Sequence, residues 1–241
     1  MKIVGVIPAR LGSTRFPEKV LRLIAGKPMI QHVWDRALAA KSLSDLIVAC
    51  DDARVLDCVQ GFGGKAVMTR TDHPNGTSRI GEIAQAVKAD VFINIQGDEP
   101  LMNPANIDAL AEVFNQTPAL QAATLAVPKT DSEGYRNPNV VKAVCDAEGN
   151  ALYFSRAMVP FDRDGAGIAY LKHLGIYAYR RDFLLEFIRW DAGRLEQIEK
   201  LEQLRILERG VKMRVVLTQS DSPGVDTPED LETVQRILQT Q

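Results

Sequence analysis

The chain has 241 residues, 46% of them hydrophobic and 25% charged, with a formal net charge of −2. That length suits one large domain, or one domain carrying a lobe, with a sizeable core. The near-neutral charge gives no support for broad nucleic-acid binding, no apolar run approaches a membrane span, and no charged-then-apolar leader opens the chain.

Residues 2–7, KIVGVI, form the kind of unbroken apolar run that a strand covered on both faces needs. Pro8 cannot donate to a ladder and is expected to end that strand. The loop that follows carries three cations (Arg10, Arg15, Lys19), two hydroxyls (Ser13, Thr14) and Gly12. A loop at the carboxyl end of a first parallel strand is where open α/β sheets bind ligands. Glycine lets backbone N–H groups approach an anion, and the cations can neutralise phosphate charge, so the loop predicts polyphosphate binding. The Walker A pattern is absent, and the near match Gly61-Phe62-Gly63-Gly64 follows a helix, so it is not a dinucleotide fingerprint.

Residues 28–40 space Met29, Ile30, Val33, Trp34, Ala37 and Leu38 as a helix, with Pro28 in its first turn and His32 structural. Residues 45–50 are a second strand, and residues 52–63 follow as a helix ending in glycines. Asp51 and Asp52 at that junction suit helix capping or ligand contact. Cys50, Cys58 and Cys145 are odd in number and lack C-x-x-C spacing, which predicts small core residues in a reducing cytosol. Residues 65–69 are a short third strand, and the loop after it leads into a helix from Ser78. Gly76 and Thr77 offer backbone donors at that helix start, flanked by Arg70 and Arg79. Residues 89–101 read as a buried strand ending in Gln96-Gly97-Asp98-Glu99-Pro100. An acid there, facing a cationic loop, is what a magnesium–nucleotide site requires.

A helix from Asn103 to Gln116 completes four strand–helix units, the pattern of a doubly wound, mostly parallel α/β sheet of Rossmann-like type. The alternation then breaks into successive strands, which predict an antiparallel lobe over residues 120–192 within a single domain, 1–241. Residues 171–179 alternate so that His173, Gly175 and Tyr177 share one face, near Arg156 of the preceding cluster. Residues 193–210 predict one helix with a ridge of Leu195, Ile198, Leu201, Leu204 and Leu207. Glu202 and Gln203 lie beside that ridge and, on composition alone, form a solvated face. A late strand precedes Asp226-Thr227-Pro228-Glu229, an N-cap signal for the last helix.

These motifs resemble the sugar-activating nucleotidyltransferases. The resemblance runs from Ile7 to about Asp230 and is carried by IPARLGSTRFPEK, NGTSR, QGDEP and GVDTPED. The strings SRA, HLGIY and LEQLRIL in that order narrow it to the 3-deoxy-manno-octulosonate (Kdo) cytidylyltransferases. The resemblance implies transfer of CMP from CTP to the anomeric hydroxyl of a 2-ulosonic sugar acid, releasing pyrophosphate, for lipopolysaccharide synthesis. It implies Mg2+ on Asp98 and Asp226 and catalytic roles for Arg10, Arg15, Lys19, Asp98 and Asp226. It implies nucleotide contacts from Arg10, Ser13, Lys19, Arg70, Gly76, Thr77, Arg79 and Gln96. Arg156, His173, Tyr177, Glu202 and Gln203 would hold the sugar acid, in a cytoplasmic homodimer that binds neither nucleic acid nor membrane. No residue stands out as a general base.

Two departures bear on this. Glu18 and Val20 replace the Gly and Pro of the usual P-G-K-P-L loop, and with Pro17 before it a type II turn would force Glu18 to positive φ. Residues 161–170 are short and resemble a branch that uses 8-amino-Kdo, whereas QGDEP and GVDTPED read like the Kdo branch. An ammonium at the far end of the sugar would need an acid such as Asp162, Asp164 or Glu196. The alternatives are a cytidylyltransferase for 8-amino-Kdo or another sugar acid, and a non-catalytic nucleotide-sugar binding protein. Against the last, Lys19, Asp98 and Asp226 are all present.

Overall fold

The structure, a computed structural model, describes residues 1–12, 16–165, 167 and 169–239. In chain order the elements are β1 (Ile3–Ala9), β2 (Leu23–Ile24), β3 (Lys27–Pro28), α1 (Met29–Leu38), β4 (Asp45–Cys50), α2 (Ala53–Gly61), β5 (Ala66–Met68) and α3 (Gly76–Ala86). Next come β6 (Val91–Asn94), α4 (Pro104–Gln116), β7 (Ala122–Lys129), α5 (Ser132–Arg136), β8 (Lys142–Cys145), β9 (Ala151–Ser155) and β10 (Tyr170–Arg180). The chain continues through α6 (Arg181–Phe187), α7 (Arg194–Glu199), α8 (Leu204–Glu208), β11 (Met213–Leu217) and α9 (Pro228–Gln239).

The main sheet runs in the order β11-β7-β10-β6-β1-β4-β5, with β8 and β9 joined on through β10. β6, β1, β4 and β5 are parallel, as the strand–helix alternation predicts. β10 lies between β6 and β7, antiparallel to both, so the second half of the chain is threaded into the sheet rather than added at its edge. Alternate residues of β1 face opposite cores. Ile3 and Ile7 pack under α1 and α4 with Val33, Trp34, Leu110 and Phe114, while Val4 and Val6 pack under α3 and α6 with Ile80, Ile83 and Phe183. Both faces being covered is why the strand is apolar at every position.

Three expectations are corrected. Pro8 does not end β1: the strand continues to Ala9, with Pro8 opposite Ala49. Pairing with β6 stops at Val6, so beyond it β1 has β4 alone as ladder neighbour, an edge-like position that tolerates a residue with no N–H. The strand expected over 89–101 is regular only through Asn94. The helix expected over 193–210 is two short helices, broken where Lys200 adopts a left-handed φ of 56°. Arg156 supports that break by donating from Nε to the Glu199 carbonyl at 2.8 Å, which satisfies a carbonyl the helix end leaves unpaired. Ile198, part of the expected ridge, is exposed as a result.

α9 is docked by a small cluster of Ile24, Met29, Val225 and Val234. Val225 N–H also donates to the Asp98 carbonyl at 2.9 Å. Residues more than a hundred apart in sequence are thereby brought to one cleft.

Candidate active site

The cleft lies over the carboxyl ends of the parallel strands. It has a volume of about 330 Å3, and its walls include Arg10, Lys19, Asp98, Asp226, His73, Asn75 and Arg79. Ser13 and Arg15 of the cationic loop lie outside the described residues.

Lys19 follows Pro17 and Glu18 in a tight turn. Glu18 takes φ 55°, the strained left-handed option that its side chain disfavours. Its carboxylate is exposed and accepts from Arg54 Nη1 at 2.7 Å on α2, so its charge is not among the groups lining the cleft. The turn delivers the Lys19 ammonium to 2.7 Å from Asp98 Oδ2 and 3.1 Å from Asp226 Oδ1. Asp98 is presented by Gly97, where a Cβ would lie 3.1 Å from the Pro8 carbonyl oxygen, so any larger residue would crowd β1. Asp226 is not the cap of α9. The Thr227 hydroxyl accepts from Asp230 N–H, and Asp230 in turn accepts from the N–H groups of Asp226 and Thr227. The Asp226 carboxylate thus faces the cleft. Two hard oxygen donors at a solvent-accessible cleft beside a cationic loop are the donor chemistry that Mg2+ takes.

The loop before α3 is held by a buried pair. Arg79 donates from Nη2 to Asp51 Oδ2 at 2.8 Å and from Nη1 to Thr69 Oγ1 at 2.6 Å. Asp51 also accepts from Leu11 N–H at 3.0 Å, which ties the cationic loop to α3. Asp52 is the α2 cap, accepting from Arg54 N–H. Asn75 caps α3 by accepting from Ser78 N–H at 2.8 Å, so Gly76 and Thr77 lie in its first turn with their N–H groups at the positive end of the helix dipole. Arg70 pairs with Asp72 on the surface and does not line the cleft.

A second cavity of about 240 Å3 lies alongside, walled by Thr77, Asn94, Tyr177, Tyr179, Glu202 and Gln203 among others. It shares Gly76 and Gln96 with the first. Gln96 is fixed by donating to the Gly175 carbonyl at 2.7 Å, at the irregularity in β10 between Leu174 and Tyr177. Two extra residues there preserve side-chain parity, so His173, Tyr177 and Tyr179 still share a face. The break at Lys200 turns Glu202 and Gln203 inward, contrary to the solvated face expected of them. Gln203 is 3% exposed, and its Nε2 has no hydrogen-bond partner among the described residues. Burial pushes Glu202 above the ordinary carboxylate range, opposed by the Thr77 hydroxyl and the Arg205 guanidinium.

Two residues expected at the sugar do not line this cavity. Arg156 spends its guanidinium on the carbonyls of Glu199 and Pro138. His173 is buried against Phe154, with Nε2 2.9 Å from Thr124 Oγ1, and burial pulls its pKa down to about 3. Of the three acids considered for an amino sugar, Glu196 is taken by Arg205, and Asp162 and Asp164 also lie off the cavity walls. Tyr179 escaped the sequence reading, although it stands two residues after Tyr177 and the strand alternation puts it on the same face. Asn94 and Leu201 gave no comparable signal.

A family model described as cytidylyltransferase matches residues 4–213. The 3-deoxy-manno-octulosonate cytidylyltransferase of Syntrophobacter fumaroxidans is 54% identical over 99% of this chain and 97% of its own length. The chain belongs to the 3-deoxy-manno-octulosonate cytidylyltransferase family. An 8-amino-3,8-dideoxy-manno-octulosonate cytidylyltransferase of Shewanella piezotolerans is 50% identical over 96% of each chain. The solved structure of a CMP:2-keto-3-deoxy-manno-octonic acid synthetase, complexed with CTP, is 45% identical and superposes with a TM-score of 0.96 over 100% of this chain and 99% of that one. As a cytidylyltransferase, the chain is a nucleotidyltransferase enzyme, and the cleft and adjoining cavity are its candidate substrate sites.

Proposed function

We propose that this enzyme transfers CMP from CTP to the anomeric hydroxyl of Kdo, giving CMP-Kdo and pyrophosphate for lipopolysaccharide synthesis. The observation that carries the reading is that the two cavities meet at Gly76 and Gln96. A nucleotide in the charged cleft and a polyhydroxy acid in the neighbouring cavity then adjoin at the start of α3. There the sugar hydroxyl attacks the α-phosphorus in line, and backbone donors favour the anionic reacting group.

In this reading Arg10 and Lys19, with Ser13 and Arg15 of the same loop, hold the triphosphate, and Arg79 keeps the loop before α3 in place. Asp98 and Asp226 would hold Mg2+, which when bound polarises phosphate oxygens and lowers the pKa of a nearby hydroxyl. Gln203 donates to the sugar from its unpartnered amide, with Tyr177, Tyr179 and Glu202 on the hydroxyls. Arg156 acts through the break it supports, by holding residues 200–203 in the cavity wall, and His173 acts by seating Tyr177. Positioning and charge stabilisation are the main sources of rate in such phosphoryl chemistry.

The reading also includes a cytoplasmic homodimer. Exposed Met158 and Phe161 on the 120–192 lobe support self-association there, and the free cysteines suit a reducing compartment. No helix among the described residues is long and apolar enough to cross a membrane. Competition between Kdo and 8-amino-Kdo at equal concentration tests the sugar: CMP-Kdo should dominate, and a strong preference for the amino sugar would reassign it.

A further inference from the structure

β7 reads AATLAVPK, an apolar run with one hydroxyl, and that residue, Thr124, is fully buried. A hydroxyl taken out of water costs free energy unless it is hydrogen-bonded, so its partners decide what it contributes.

Those partners are on β10. Thr124 Oγ1 lies 2.8 Å from the Ile176 carbonyl oxygen, 3.2 Å from that of Leu174 and 2.9 Å from His173 Nε2. β7 pairs Leu125 with Leu174 and Thr124 with Tyr177, so Gly175 and Ile176 have no register partner in β7. β6 pairs with β10 only from Tyr177 onward. A bulge of this kind takes carbonyls away from their ladder donors in a dry place. The Thr124 hydroxyl supplies the missing donor. Its single proton goes to a carbonyl, so His73's counterpart on this face, His173, donates from Nε2 to a lone pair on the same oxygen. One side chain thereby closes the bulge and seats the imidazole against Tyr177, with ring centres 5.5 Å apart.

Beyond the bulge, the Gly175 carbonyl accepts from Gln96 Nε2 at 2.7 Å. A carbonyl only accepts, so the Gln96 amide nitrogen faces β10 and its oxygen is turned away. The carbonyls of Gly175 and Ile176 belong to successive planar peptides, and fixing one limits the other. Gln96 lines both cavities, and Tyr177 lines the second.

We propose that Thr124 is a positioning residue for the transfer: by closing the bulge in β10 it fixes Gln96 and Tyr177 where the charged cleft meets the second cavity. This rests on the reading of that cavity as the sugar site. Thr124 is not among the residues that wall either cavity, so it acts through Gln96 and Tyr177 and touches no substrate. The charged cleft takes its other walls from the ends of β1 and β6 and from α3, which Thr124 does not hold, so the effect falls on the sugar.

The test compares the wild type with Thr124→Val, which removes the hydroxyl at nearly constant volume, and Thr124→Ser, which keeps it. Steady-state kinetics at saturating CTP and Mg2+, with Kdo or 8-amino-Kdo, whichever is turned over, are read beside calorimetric titration with CTP and Mg2+. In Thr124→Val, kcat/KM for the sugar should fall about tenfold, the scale of one net hydrogen bond, while Kd for CTP stays within about threefold. Thr124→Ser should keep kcat/KM within about threefold of the wild type. Wild-type kcat/KM in a Thr124→Val enzyme that only unfolds at lower urea overturns the proposal. Equal losses for sugar and CTP, or a serine variant as impaired as the valine variant, also overturn it. Should Thr124→Val not fold, Thr124→Ala, which removes the hydroxyl without setting a methyl against the carbonyls, is read by the same criteria. Should neither fold, the hydroxyl serves the fold and not the site, and the proposal falls. Sugar turnover by the wild type with no effect of Thr124→Val defeats Thr124 alone, whereas CTP binding without turnover of either sugar defeats the reading of the sugar cavity as well.

Discussion

The Lys19 ammonium lies 2.7 Å from the Asp98 carboxylate, and both residues line the cleft. With Asp226 on the same nitrogen, one cation balances two acids. In the proposed reading Asp98 and Asp226 would hold Mg2+, which leaves the Lys19 ammonium available to phosphate. Asp98→Asn and Asp226→Asn each remove one charge at nearly constant volume. Turnover should fall by something like ~10²- to 10³-fold in each, the scale of losing one electrostatic contact to a transition state. Circular dichroism should show the fold intact, since Asp230 and Thr227, not Asp226, cap α9. Near-normal turnover in Asp226→Asn would remove it from the metal site.

Asp51 and Asp52 are neighbours with different work. Asp51 meets Arg79 in a pair whose side chains are 13% and 3% exposed, whereas Asp52 caps a helix at the surface. Asp51→Ala leaves a buried guanidinium unpaired and should cost about 3 kcal/mol or more. Asp52→Ala should cost about 1 kcal/mol. Urea unfolding of the two variants would measure the difference, and equal losses would contradict this division.

Glu18 isolates backbone strain. Glu18→Gly and Glu18→Ala both lose the exposed Arg54 pair, but only glycine takes the positive φ without a Cβ clash. The glycine variant should be the more stable of the two by about 1 kcal/mol. A more stable alanine variant would mean that the turn carries no such strain.

His173 links burial to pH. Burial keeps its folded-state ring neutral down to about pH 3, whereas the unfolded ring takes a proton near its ordinary value of 6.5. The unfolded chain therefore binds more protons between those values, and stability is lost as pH falls below about 6.5. The slope from this one group is at most about 1.4 kcal/mol per pH unit. His173→Gln should be less stable at neutral pH and flatter in stability between pH 7 and 5. An equal slope in the variant would mean that the histidine is not buried neutral.

The sugar cavity gives a kinetic split. Gln203→Ala removes an unpartnered buried donor, so the Michaelis constant for the sugar should rise several-fold to tenfold while that for CTP holds, the scale of one net hydrogen bond. An equal rise for both substrates would point to a general loosening of α8.

Much of this was legible in the sequence because it is local. The apolar run of β1, the spacing of Ile30, Val33, Trp34 and Ala37 on α1, and Asn75 before Gly76 each declare an element within a few residues. The four parallel strands place the cationic loop and Asp98 at one edge by topology alone. The rest depends on distant partners. Nothing in Glu199-Lys200-Leu201 marks a break, since the leucine ridge runs straight through it and the deciding hydrogen bond comes from Arg156, 43 residues away. β10 enters between β6 and β7 through pairings that no short window contains.

Pyrophosphate release from CTP, followed together with formation of the CMP-sugar, tests the central claim most directly. With CTP, Mg2+ and Kdo all present, one pyrophosphate should appear for each CMP-Kdo formed, and omission of any one of the three should stop both. Failure to release pyrophosphate with either Kdo or 8-amino-Kdo, from protein that binds CTP and melts cooperatively, would contradict the account.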